Sequence, residues 1–132
     1  ICDTWATLKT DAGVPVPLDG KTIKYLPSGQ AFMNARQNPM FDTTYIYGHT
    51  NQSASNFEFV DSAKVRTLHR DSYHGSWHYG RYLAGLVWYG CFTGNSVINN
   101  KYVNPQYPIN ETEQMVLKEA AQKAIDDTGF WN

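Results

Sequence analysis

The sequence predicts an α/β domain, and three observations carry that expectation. Thr22-Ile23-Lys24-Tyr25-Leu26 alternates strand-forming residues and stops at Pro27-Ser28-Gly29, the pattern of a short strand closed by a turn. Ser76 to Phe92 is a long apolar stretch whose glycines Gly80, Gly85 and Gly90 are evenly spaced, as expected of a helix whose backbone lies close against a sheet. Asn110 to Asp127 has the 3.6-residue period of an amphipathic helix.

The elements follow in chain order. Ile1 to Leu8 carries apolar residues without a clean period and suits a strand end or the first turn of a helix. Asp11 to Gly20 has the Gly and Pro spacing of a loop. After the Thr22 to Leu26 strand, Gln30 to Gln37 allows a two-turn helix, which Asn38-Pro39 ends because a residue before proline is pushed out of the helical region. Met40 to Asp61 is a long aromatic and polar segment with no sustained period, read as a functional or inserted loop, with Phe57-Glu58-Phe59 as a brief strand. The Ser76 to Phe92 helix stops at Thr93-Gly94. Asn95 to Asn110 is a loop containing Pro105 and Pro108. In the last helix, Asn110 and Glu113 stand at capping-box spacing. Its apolar set is Met115, Val116, Ala120, Ala124 and Ile125, with Leu117 and Ala121 beside them; Lys118, Gln122, Lys123 and Asp126 form the polar face.

At 132 residues the chain reads as a single domain, residues 1–132, with 110–128 as its C-terminal helix. Its 11 basic residues are scattered among 12 acidic ones, so there is no basic stripe for a nucleic acid. The longest apolar run, Leu83 to Val87, is interrupted by Gly85 and is far short of a membrane span. The chain starts at Ile1 without a signal segment, which fits a processed chain or a fragment. Cys2 and Cys91 allow one disulfide or two reduced thiols. Asn51-Gln52-Ser53 and Asn110-Glu111-Thr112 match the glycosylation pattern, which chance also supplies.

Chemistry concentrates in His69-Arg70-Asp71-Ser72-Tyr73-His74-Gly75. A general base that activates a hydroxyl needs a neutral imidazole nitrogen toward the nucleophile and a carboxylate on the other nitrogen to fix the tautomer. Asp71, three residues ahead of His74, can be that orienting group and His74 the base. The same spacing also suits an aspartate capping a turn beside a surface histidine. A metal site using His69, Asp71, His74 and His78 is a second reading, and His49 joining a cleft a third. Ser28, Ser72 and Ser76 fit turn or cap roles better than that of a nucleophile.

Leu26-Pro27-Ser28-Gly29-Gln30-Ala31, Asn34-Ala35-Arg36, Asp71-Ser72-Tyr73-His74 and Gly80-Arg81-Tyr82-Leu83-Ala84 occur in that order. The set resembles the C-terminal part of the SGNH (GDSL-like) hydrolase superfamily, in its DUF4886-like branch of secreted proteins, over Ile23 to Gly94. The resemblance implies a three-layer, flavodoxin-like parallel sheet of which only the C-terminal portion is present. It implies Asp71 and His74 as the catalytic acid and base, with Ser72 where relatives have glycine. It also implies no cofactor or metal, a secreted or periplasmic setting, and an acylated carbohydrate or other small ester as substrate. The family's nucleophilic serine and oxyanion-hole residues belong to blocks upstream of the matched region, and no Gly-x-Ser-x-Gly elbow is present. The expectation is an esterase whose serine lies on a missing N-terminal segment or a companion chain. The alternative is a non-catalytic relative that binds a glycan or a protein.

Overall fold

The computed structural model describes residues 24–41, 66–69 and 74–131. Among them the chain forms three α-helices, α1 (Ser28–Arg36), α2 (Tyr79–Thr93) and α3 (Glu111–Asp127), and no strand. Their only β pairing is an isolated antiparallel bridge between His69 and Gly75. The expected α/β architecture, a three-layer parallel sheet, is thus corrected: the described part is helix packed on helix. Lys24 to Leu26, the three described residues of the expected strand, joins no ladder. Phe57-Glu58-Phe59 lies outside the described residues.

The α2 glycines show why the sheet inference fails. A Cβ at Gly80 would stand 2.1 Å from the Leu68 carbonyl oxygen and 2.8 Å from Gly75 Cα, so this glycine admits the backbone of a loop. At Gly90 it would meet the side chains of Ile125 and Val97, and at Gly85 nothing within 4 Å. Close approach is real at two of the three positions, but the neighbours are a loop and α3.

Each helix has a local cause. Pro27, with φ at −79°, leads into α1 and its carbonyl accepts the Ala31 N–H at 3.0 Å. The helix therefore opens two residues before the expected Gln30. Ser76 is buried and lies ahead of α2; its Oγ accepts from Gly80 N at 2.9 Å and its carbonyl from Arg81 N at 3.0 Å. These bonds serve the first turn from outside it, so α2 starts at Tyr79 instead of Ser76. It ends at Gly94, whose φ of 72° lets its N–H reach the Gly90 carbonyl. Asn110 and Glu113 form a complete capping box at the start of α3.

The helices meet over small residues. α1 buries only Ala31 and Ala35, and α3 buries Ala120, Ala121 and Ala124. Their short side chains permit a close crossing, close enough for Asn34 Nδ2 to donate to the Ala120 carbonyl at 3.1 Å. α2 adds Leu83, Leu86, Val87 and Cys91, and Leu117, Phe41 and Leu68 complete the centre. Each large apolar side chain buried here contributes about 1.5–3 kcal/mol. Cys91 is a buried free thiol, and burial pushes its pKa up; Cys2 lies outside the described residues.

Two α3 positions depart from the expected amphipathic pattern. Met115 is exposed, and Lys118, expected on the polar face, is buried. α2 is apolar on both sides: opposite its core face, Trp88 and Phe92 pack edge to face at 6.0 Å and stay exposed.

Candidate functional site

The chain on either side of residues 70–73 is held together. His69 and Gly75 are bridged, Ser76 N donates to the Leu68 carbonyl at 2.8 Å, and buried Thr67 donates its hydroxyl to the His69 carbonyl at 2.7 Å. Gly80, lying against Leu68 and Gly75, fixes this frame to the first turn of α2. His74 is at the exposed end of the frame. Asp71 lies outside the described residues.

His69 has a different task from the one expected of a metal ligand. Its Nδ1 is 2.7 Å from Arg36 Nη2. A guanidinium has no acceptor, so Nδ1 accepts and the proton of the neutral ring lies on Nε2. The ring also packs against Phe32, with centroids 5.0 Å apart. His78, another of the four residues in the metal reading, precedes α2 and meets Tyr107 edge-on at 5.3 Å. Among the described residues no three His, Cys, Asp or Glu side chains are grouped to hold a metal. His49 lies outside them.

Alongside the frame, α2 and the 94–110 segment enclose an aromatic cleft. Trp77 stacks on Tyr107 at 5.7 Å, and the Arg81 guanidinium sits 3.6 Å from the centre of the Trp77 ring. A cavity of about 470 Å3 runs between Tyr82, Tyr89, Leu86 and Tyr102, with Arg81 and Asn100 at its edges. A smaller one of about 120 Å3 adjoins it among Trp77, Arg81, Asn104 and Tyr107. The Tyr82 hydroxyl is buried without a hydrogen-bond partner, and burial raises its pKa to about 12. The Ser28 hydroxyl is likewise buried and unpartnered, at the first turn of α1. Ser76, another available hydroxyl, is engaged as a cap.

Sequence reasoning read Met40 to Asp61 as a functional or inserted loop, of which residues 42–61 lie outside the described residues. It missed Arg81, Asn100, Tyr102 and Asn104. The usable signal was the Trp77/Arg81 spacing of four residues at a helix entrance and an Asn- and Tyr-rich loop following the same helix.

Among the described residues no helix is long and apolar enough to cross a membrane. Comparison with protein-family models, curated proteins and solved structures finds no match to this chain.

Proposed function

We propose that this chain supplies the acid–base pair of a serine-type ester hydrolase of the SGNH kind, acting on an acylated carbohydrate in a secreted or periplasmic setting. His74 is the base and Asp71 the group that orients it. The observation that supports this reading is the frame on either side of residues 70–73: the His69–Gly75 bridge, with Gly80 packed against it, sets His74 at the entrance to α2. A catalytic imidazole needs such a mount, because small displacements of a base cost large factors in rate. The serine comes from a preceding segment or a companion chain, and the exposed Trp88–Phe92 side of α2 supports further polypeptide there. A helix that is apolar all round is normally covered all round.

In the reaction, the serine Oγ forms its bond to the ester carbonyl as its proton passes to His74. The imidazolium, held by Asp71, then protonates the departing alcohol, and water repeats the sequence on the acyl-enzyme. The aromatic cleft favours a second reading, a relative that binds glycans without a nucleophile. The test is His74→Ala in the serine-bearing protein or complex, assayed with a fluorophosphonate probe and a chromogenic acetyl ester. Labelling should be lost and turnover should fall by about six orders of magnitude. Unchanged turnover removes His74 from the chemistry.

A further inference from the structure

The cleft beside the turn has a composition that selects among saccharides. Tyr82, Tyr89 and Tyr102 give it flat carbon walls, and Tyr102 is 67% exposed, available to the C–H face of a pyranose. Asn100 and Asn104 each spend the side-chain oxygen on a backbone N–H, of Tyr102 and Gln106 at 2.9 Å. Their amide NH2 groups remain as donors toward hydroxyls.

Charge is the decisive feature. Arg81 borders both cavities, and among the described residues neither is lined by an aspartate or glutamate. The guanidinium lies over Trp77, which uses its face and leaves its planar edge of N–H donors for a ligand. A carboxylate is the group that this fork matches with two parallel hydrogen bonds.

We infer that the Arg81–Tyr102 cleft is a subsite for a uronic acid residue, its ring on the tyrosines and its carboxylate on Arg81. The inference rests on the carbohydrate part of the proposed function and needs no hydrolytic step. It makes the substrate class an acidic glycan.

The experiment is calorimetric titration of the 132-residue chain with trigalacturonate, cellotriose and 4-hydroxybenzoate at low ionic strength. Trigalacturonate should bind about fivefold or more tightly than cellotriose, the scale of one exposed charge pair. That preference should shrink in about 0.15 M salt. Arg81→Gln should erase it, Arg81→Lys should keep part of it, and Tyr102→Ala should weaken both sugars. Thermal melts establish that each variant is folded; if Arg81→Gln is not, the salt dependence and Arg81→Lys carry the comparison. Equal affinity for the two sugars, binding of neither, or preference for 4-hydroxybenzoate overturns the inference. Trigalacturonate binding without esterase activity in the serine-bearing protein would count against the hydrolase alone. Hydrolysis without trigalacturonate binding would count against the subsite alone.

Discussion

Tyr79 donates its phenolic hydrogen to Glu113 Oε1 at 3.1 Å inside the core. The same oxygen accepts from Arg66 Nε at 3.0 Å, while Oε2 takes the Asn110 N–H that completes the α3 cap. One carboxylate thereby ties the start of α2, the start of α3 and the strand of chain leading to His69. Arg66, with φ at 48°, occupies the left-handed region that non-glycine residues seldom adopt, and its bond to Glu113 helps hold it there.

Glu113→Ala is expected to lower the unfolding free energy by about 2–4 kcal/mol, because it removes the acceptor shared by the Asn110 N–H, the Tyr79 hydroxyl and Arg66. Tyr79→Phe should cost about 1 kcal/mol. Urea unfolding of both variants and of the double variant should show coupling, with the double variant less destabilised than the sum. Strict additivity would mean the bond contributes nothing.

Alkaline pH should destabilise the fold over a defined window. Tyr79 is raised to about 12 by burial first and then by the Glu113 charge, and Tyr82 to about 12 by burial. Their unfolded values are near 10, so the folded state holds these protons more tightly. The associated stability is fully present below pH 10 and is lost as pH rises from about 10 toward 12. Tyr82→Phe, which deletes an unpartnered hydroxyl, should be neutral or stabilising at pH 7 and should flatten this decline, as read by melting temperature against pH. A fold equally stable at pH 9 and pH 12 would contradict both assignments.

Gly80→Ala and Gly85→Ala form a matched pair on one helix. At Gly80 the new Cβ would collide with the Leu68 carbonyl, which is backbone and cannot rotate away. The expected loss exceeds about 2 kcal/mol, and release of the turn should remove any activity that depends on His74. At Gly85 the Cβ enters open space, and better helix propensity should stabilise by about 0.5–1 kcal/mol. Denaturant midpoints moving the same way in both variants would contradict the packing described.

The parts legible in the sequence are those written in neighbouring residues. Asn110 and Glu113 are three apart, and the cap they make is a local bond. Glu113 as a tertiary anchor was not legible, since Tyr79 and Arg66 lie 34 and 47 positions away. The glycines of α2 announced close approach at Gly80 and Gly90, yet a missing side chain says only that something is near, and a loop carbonyl and an isoleucine read the same as a sheet. Lys118 was placed on the polar face by period alone, and it is buried. At the site, Asp71 lies outside the described residues, while the Arg36–His69 bond and the Arg81 cleft depend on segments that meet only after folding.

The His69–Gly75 bridge separates the position of the turn from its contents. Its two ends are held by Leu68, Ser76 and Gly80, so closing the segment adds little entropy cost that its own residues must offset. The bridge, the Ser76–Leu68 bond and the Gly80 contact are all made by backbone, so they do not depend on the identity of the side chains between their ends.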